Sequence, residues 1–161
     1  MLEEINKIIK EKDTLILCCG YPYSTDMGFG YHVAKALENI KLPDNVDFLE
    51  IGFHSVMIPA FVEGKEKLIV VDVYRTKDAP GTVVRLKREE VPVTVDGVTD
   101  VPKHQLMVML NQISISGKCP EAIFIGVVPK DTKTSSEELT PEIKNKINEV
   151  IELILKEVQS K

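Results

Sequence analysis

The chain has 161 residues and a mass of 18.0 kDa, which suits one domain with one hydrophobic core. Its formal charge of -5 and its pI near 5.3 argue against nucleic acid or an anionic membrane as the main partner, because those partners need clustered basic surface. No apolar stretch approaches the roughly 20 residues that span a bilayer, and the first residues lack a signal-peptide pattern. We therefore expect a single cytoplasmic domain over residues 1–161.

The first half of the chain is predicted to alternate between strands and helices. The apolar run at residues 15–19 has the length of a strand and is followed by residues that break regular structure. Apolar residues at helical spacing then predict a helix from about residue 28 to residue 40. The other predicted elements are an amphipathic helical extension at residues 1–12, a strand at 46–51 and a connecting helix at 55–62.

The second half contains the strongest strand signals. Residues 67–73 and 122–128 are almost entirely apolar, which is typical of strands covered on both faces of a parallel sheet. A further strand at 82–86 follows a turn at Pro80-Gly81. The remaining predicted elements are helices at residues 106–113 and 141–158.

Strands that alternate with helices indicate a sheet enclosed between helical layers. We predict an α/β fold: a three-layer sandwich with a mainly parallel, twisted sheet of about five strands and helices on both faces. Cys18, Cys19 and Cys119 have the spacing of neither a disulfide framework nor a zinc site. We interpret them as reduced packing residues.

Three polar residues lie near the ends of these predicted strands and helices. Asp26 follows the first strand, Asp72 lies at the end of a central strand, and His104 is placed where a helix begins. If the first and third strands are neighbours, the loops with the two aspartates emerge at one edge of the sheet, which His104 can reach. Two carboxylates and one imidazole could hold a divalent cation or perform acid–base chemistry.

Each of these residues also has a structural interpretation. Asp26 can cap the following helix, since Asp is a preferred capping residue. A single histidine near a helix start, such as His104, is usually a surface or capping residue. Asp72 is harder to explain by packing, because it is charged and ends an otherwise apolar strand.

Short motifs follow one another along most of the chain. Residues 20–30 read Gly-Tyr-Pro-Tyr-Ser-Thr-Asp-Met-Gly-Phe-Gly. Further motifs are Ile69-Val70-Val71-Asp72, Ala79-Pro80-Gly81-Thr82, Lys103-His104-Gln105-Leu106, Ile125-Gly126-Val127-Val128-Pro129 and Leu139-Thr140-Pro141. In order and spacing, these motifs resemble those of the hydrogenase maturation protease family, over residues 14–158. That family opens with Gly-Asn-x-x-x-x-Asp-Glu/Asp-Gly-x-Gly and has Ser or Pro before His-Gln-Leu.

The resemblance implies a specific activity. Members are aspartic-type endopeptidases that remove a carboxy-terminal extension from the large subunit of [NiFe] hydrogenases once nickel is installed. The implied partner is therefore a hydrogenase large-subunit precursor, and the implied nickel is supplied by that substrate, with no organic cofactor. The family's metal-sensing ligands are the second acid of the first motif, the Asp that closes the central strand and the His of His-Gln-Leu. The last two correspond to Asp72 and His104.

The chain departs from the family pattern at the first ligand. Met27 stands at that position, and a thioether is a softer and weaker ligand for a divalent ion than a carboxylate. Asp26, one residue earlier, is our predicted third ligand, and His54 is a possible substitute whose other interpretation is a surface loop residue. Tyr21 replaces the family's Asn, and we interpret His32 as structural.

Two other functions stay open from the sequence. Met27 could mark a family member that has lost peptidase activity and acts as a docking or checkpoint partner of a hydrogenase subunit. The glycine-containing loop could also bind a nucleotide, but it lacks both Gly-x-Gly-x-x-Gly and the phosphate-loop Gly-Lys-Ser/Thr.

Overall fold

The computed structural model describes residues 3, 12–52 and 58–160. The predicted helical extension at residues 1–12 therefore lies almost wholly outside the described residues. His54 and the start of the helix predicted at 55–62 also lie outside them. Within the part of the chain that is described, no helix is long and apolar enough to cross a membrane.

Seven strands and five helices form the described structure. The strands are β1 (Thr14–Cys19), β2 (Val46–Gly52), β3 (Lys67–Val73), β4 (Val83–Lys87), β5 (Thr94–Val95), β6 (Val98–Thr99) and β7 (Glu121–Val127). The helices are α1 (Phe29–Leu37), α2 (Ile58–Val62), α3 (Val101–Ser116), α4 (Pro141–Lys144) and α5 (Ile147–Gln159). A short 3-10 turn at Thr25–Gly28 leads directly into α1.

The main sheet has the strand order β2-β1-β3-β7-β4. Four strands are parallel to one another, and β4 runs antiparallel to β7 at one edge. The first and third strands are neighbours, as the convergence of the two aspartate loops requires. The predicted α/β fold with a mainly parallel five-stranded sheet is confirmed.

Helices cover both faces of this sheet. On one face, alternate side chains such as Ile69 and Val71 pack with α1 and α5. On the other face, Leu68 and Val70 pack with α2 and α3. Since successive side chains of a strand point to opposite faces, the residue after Val71 is directed toward α2 and α3. The strand period therefore places Asp72 on the α3 side of the sheet.

Three details differ from the sequence-based prediction. Residues 94–99 form a small hairpin, β5 with β6, that we did not predict, because each strand has only two residues and no apolar run. Helix α3 begins at Val101 rather than near 104, since Asp100 caps it and accepts a hydrogen bond from the Lys103 amide. The helix predicted at 141–158 is interrupted after Lys144 by a tight turn.

An ion-pair group around the buried Glu157 carboxylate connects α5 to the far end of the sheet. The Glu157 side chain is 9% exposed and accepts hydrogen bonds from Arg85 at 2.8 Å and from Lys67 at 3.4 Å. Lys67 also donates to the main chain of Glu157 at 3.1 Å. The hydrogen bond from Arg85 is the main reason that the pKa of Glu157 lies below its usual value of 4.5. This group holds the carboxyl-terminal helix onto β3 and β4.

Replacement of Glu157 by Gln tests this connection. An acid with a lowered folded-state pKa stabilises the fold above its unfolded-state pKa, and that contribution is lost as the pH falls through the folded-state pKa. At pH 7 we expect E157Q to lose about 1–3 kcal/mol of unfolding free energy, because two cations lose a charged partner. Urea unfolding at a series of pH values should show the difference shrinking below about pH 4.5. A difference independent of pH would contradict this assignment.

Candidate functional site

Asp72 lies near the carboxyl end of β3, at the edge of the sheet where open α/β folds place their ligands. It is 8% exposed, although its neighbours in the strand are apolar. One carboxylate oxygen, Oδ1, accepts a hydrogen bond from the Val73 amide at 2.7 Å. A buried carboxylate of this kind needs a charged partner, since burial of an unpaired charge is strongly unfavourable.

Lys103 is that partner. Its Nζ lies 3.4 Å from Asp72 Oδ2 and 3.0 Å from Asp100 Oδ2, and the residue is only 4% exposed. The ammonium group also lies 5.2 Å from the centroid of the Tyr74 ring, a favourable cation–π position. Three charged side chains from β3 and from the start of α3 are thus in contact in the protein interior.

The electrostatics of this group follow from burial and charge. Burial raises the pKa of Asp72, and the Lys103 ammonium opposes that rise. Burial alone would lower the pKa of Lys103. The nearby carboxylates of Asp72 and Asp100 raise it by more, so that the pKa of Lys103 lies above its usual value. Lys103 is therefore positively charged at neutral pH.

A glycine on the neighbouring strand makes room for Asp72. Gly126 of β7 is the register partner of Asp72, and a Cβ atom on Gly126 would lie 1.8 Å from the Asp72 carbonyl oxygen. A real Cβ atom cannot come that close. Any side chain at residue 126 would therefore displace the backbone that positions the Asp72 carboxylate.

His104 follows Lys103 in the first turn of α3. Its amide donates to the Asp100 carbonyl at 2.9 Å, which is the first hydrogen bond of the helix, and its side chain is exposed. The histidine lines a cleft of about 450 Å³ together with Val91, Met107 and Val108. An exposed imidazole beside an open cleft can reach a ligand brought by another molecule.

Asp26 occupies a different environment from Asp72. It is fully buried, and both of its oxygens accept hydrogen bonds. Oδ2 accepts from the amides of Lys130 at 2.9 Å and Asp131 at 2.8 Å, and Oδ1 accepts from the amide of Thr140 at 2.9 Å. The Thr140 hydroxyl donates to the same carboxylate at 2.9 Å. Asp26 therefore ties the loop after β1 to the segment between β7 and α4.

Main-chain hydrogen bonds extend this connection. The amide of Thr25 donates to the Ser136 carbonyl at 3.0 Å, and the amide of Ser136 donates to the Tyr23 carbonyl at 3.2 Å. Thr25 has a φ of 51°, which β-branched residues rarely adopt. The surrounding hydrogen bonds hold the loop in this conformation.

Met27 and Tyr21, which depart from the first family motif, lie in the same loop. Met27 is half-buried and packs against the core on the α1 side of the sheet. Tyr21 is 42% exposed and forms an edge-to-face pair with Tyr23, with ring centroids 5.4 Å apart. The amide of Tyr21 donates to the Met27 carbonyl at 2.8 Å. The loop thus presents aromatic rings to solvent and a thioether to the core.

Cys18 and Cys19 are poorly suited to act as nucleophiles. None of the three forms a disulfide. Burial raises the pKa of both Cys18 and Cys19 well above the usual thiol value, so that they stay protonated at neutral pH. Their interpretation as packing residues agrees with this environment.

The predicted site residues lie in three different parts of the fold. Asp72 lies near the end of β3, and His104 lies in the first turn of α3, next to Lys103, which contacts Asp72. Asp26 is hydrogen-bonded to residues 130, 131 and 140. Within residues 3, 12–52 and 58–160, no three His, Cys, Asp or Glu side chains form a group that could hold a metal ion. A role for Asp26 as a third ligand stays a prediction.

Sequence reasoning missed three residues of this region: Lys103, Asp100 and Thr140. A sequence signal existed for Asp100, since an acid immediately before Val-Pro is typical of a helix cap. The contact of Lys103 with Asp72 had no such signal, because it depends on how α3 packs on the sheet. The link from Thr140 to Asp26 likewise joins residues 114 positions apart in the chain.

The fold and the site define a class of protein: a three-layer α/β domain with a buried carboxylate and an exposed histidine at the carboxyl edge of its sheet. Comparison with known proteins then gives the family. The family model described as hydrogenase maturation protease matches residues 31–157. The chain belongs to the hydrogenase maturation protease family.

Several relatives cover most of the chain. The hydrogenase 2 maturation protease of Escherichia coli is 30% identical over 146 residues, with 88% of this chain and 87% of that protein covered. The coenzyme F420 hydrogenase subunit delta of Methanothermobacter thermautotrophicus is 31% identical and covers 92% of this chain and 96% of its own length. The structure of the hydrogenase maturating endopeptidase HybD from E. coli matches with a TM-score of 0.83 at 28% identity, over 91% of both chains.

Replacement of Asp26 by Asn tests its structural role. The amide group of Asn would point an N–H toward the amides of residues 130 and 131 or toward Thr140, so at least one buried donor would lose its acceptor. We expect D26N to lose about 2–3 kcal/mol of unfolding free energy, measured by urea unfolding.

The matched control is Asp78→Asn, because the Asp78 carboxylate bonds only the exposed Thr76 hydroxyl among the contacts described for it. We expect D78N to change the unfolding free energy by less than about 0.5 kcal/mol. A D26N variant as stable as the wild type, but with weaker nickel binding, would instead make Asp26 a ligand.

Proposed function

We propose that the protein is an endopeptidase that removes the carboxy-terminal extension of a [NiFe] hydrogenase large-subunit precursor after nickel has been inserted. The observation that supports this proposal is that a member of the maturation protease family has a buried acid, Asp72, near the end of β3 and an exposed histidine, His104, in the first turn of α3. The names of the relatives point to the same class of client, since they are hydrogenase proteins.

In this proposal the metal ion is part of the substrate. Asp72 and His104 supply one carboxylate and one imidazole, which are donors suited to a borderline divalent ion such as nickel. Two donors hold such an ion weakly by themselves. They engage a cation well when the precursor already provides the other ligands, and that engagement orients the scissile peptide bond beside the cleft at His104.

Cleavage is then conditional on nickel insertion. The reaction consumes one water molecule and one peptide bond and yields a new carboxylate and a new amine. No covalent intermediate is proposed, since burial keeps the thiols of Cys18 and Cys19 protonated. We assign Asp26 the role of holding the loop after β1 in place.

The free cysteines support a location in the reducing cytoplasm.

Coexpression with a precursor tests this function directly. Mass measurement of the nickel-loaded large subunit should show loss of its carboxy-terminal extension with the wild-type protein. We expect Asp72→Asn and His104→Ala to reduce cleavage by at least about 100-fold, the range typical for loss of a group that acts on the transition state.

Two variants serve as matched controls. Asp78→Asn removes an exposed carboxylate in the turn after β3, and His32→Gln changes a histidine whose Nε2 lies 3.0 Å from the Glu137 carbonyl oxygen. Both should retain cleavage. An unchanged precursor mass with the wild-type protein, despite full nickel loading, would argue strongly against catalysis.

A second function is a docking or checkpoint protein that binds a hydrogenase subunit without cutting it. Two observations favour this alternative: Met27 lacks a carboxylate, and one relative is named as a hydrogenase subunit. Docking would need the same surface but not hydrolysis.

Replacement of Met27 by Glu separates the two functions. The variant restores the acid of the family motif next to the β1 loop. If the protein is a peptidase that works without this acid, M27E should change the cleavage rate by less than about threefold, because Asp72 and His104 already act. Cleavage that appears only in M27E, measured in the same coexpression assay, would favour the docking function for the wild type.

A further inference from the structure

A cation of the chain itself already lies on the carboxylate that the proposed function assigns to the metal. Lys103 Nζ is 3.4 Å from Asp72 Oδ2, and the lysine is 4% exposed.

Both oxygens of Asp72 have partners. Oδ1 accepts from the Val73 amide at 2.7 Å, and Oδ2 faces the Lys103 ammonium. The first contact is local to β3 and does not depend on α3. A cation that approaches Asp72 must therefore compete with Lys103 for Oδ2.

The Asp100 carboxylate is a second partner for the Lys103 ammonium group. The Nζ–Oδ2 distance to Asp100 is 3.0 Å, shorter than the distance to Asp72. Asp100 is held in position because its side chain caps α3. The Tyr74 ring, with its centroid 5.2 Å from Nζ, adds a favourable contact that does not involve Asp72. Lys103 can therefore release Asp72 and keep two of its three partners.

We propose, on the basis of the function proposed above, that Lys103 is an internal competitor which occupies the Asp72 carboxylate until the precursor supplies a metal ion, and that Asp100 retains Lys103 after this exchange. Lys103 is thus a specificity-determining residue. It lowers the affinity of Asp72 for free divalent ions, while a metal ion fixed in the docked precursor has the extra binding energy to displace it.

The loss of affinity for free nickel depends on the fraction of molecules in which Lys103 does not contact Asp72. A ligand that binds only the state with a free carboxylate has its apparent affinity reduced by the fraction of that state. If Lys103 leaves Asp72 free in about a tenth of the molecules, the affinity for free nickel falls about tenfold.

Nickel binding by the isolated protein tests this proposal without any use of activity. Isothermal titration calorimetry with Ni²⁺ at pH 7 should compare untagged wild type with Lys103→Gln and Lys103→Met. Both variants remove the positive charge, and Met keeps most of the side-chain length over Tyr74. With that free fraction, we expect each folded variant to bind Ni²⁺ about tenfold more tightly than the wild type.

Two controls isolate the contact with Asp72. Lys103→Arg keeps the charge and should bind no more tightly than the wild type. Lys35→Met removes an exposed lysine that pairs with Glu38, so it changes the net charge equally and should have no effect on nickel affinity. Addition of Asp72→Asn to Lys103→Gln should abolish the gain.

Clear results would overturn the proposal. If Lys103→Gln and Lys103→Met unfold cooperatively like the wild type but bind Ni²⁺ no more tightly, Lys103 is not a competitor. A gain that persists in the double variant with Asp72→Asn would place the nickel elsewhere and would also overturn it. The coexpression assay is separate: absence of cleavage with a gain in affinity would reject the peptidase and leave the competition between Lys103 and metal intact.

Discussion

The contact between Lys103 and Asp72 joins the carboxyl end of β3 to the first turn of α3, and the account of the site depends on it. The strand period directs Asp72 toward the α3 face, and the glycine at 126 leaves room for its backbone. A buried ion pair is weak evidence for stability, because desolvation offsets much of the attraction between the charges. The presence of three charged side chains at a sheet edge that suits ligands therefore favours a role in recognition of a cation.

Asp26 shows how a similar carboxylate can have the opposite role. Asp26 lies in the loop after β1, Asp72 lies near the end of β3, and both are buried. Asp26 receives its hydrogen bonds from amides and a hydroxyl of the segment after β7, so its charge is satisfied by fixed dipoles. Asp72 accepts one hydrogen bond from the Val73 amide, but its other oxygen, Oδ2, faces the ammonium group of a lysine, which is carried on a long flexible side chain. An ammonium group can be exchanged for another cation more readily than a folded loop can be displaced.

The sequence was sufficient for the fold, because apolar runs such as 67–73 and 122–128 identify buried parallel strands. Asp72 could be selected because it is a charged residue in such a run, whereas His104 was selected from its place at a predicted helix start and from the resemblance of Lys103-His104-Gln105-Leu106 to a family motif. The partners of the aspartates could not be predicted. The Asp26 contact joins residues 114 positions apart, and the Lys103 contact depends on the depth at which α3 packs on the sheet. Long-range contacts of this kind have no periodic signal.

The central claim is that Asp72, with His104, is the carboxylate that meets the metal, while Asp26 holds the loop. Crystals of the Lys103→Gln variant soaked in Ni²⁺ would test it most directly through an anomalous difference map. We expect a nickel peak bonded to the Asp72 carboxylate and the His104 imidazole, with Asp26 still hydrogen-bonded to residues 130, 131 and 140. A nickel ion bound to Asp26, or a fully loaded crystal with no nickel at Asp72, would contradict it.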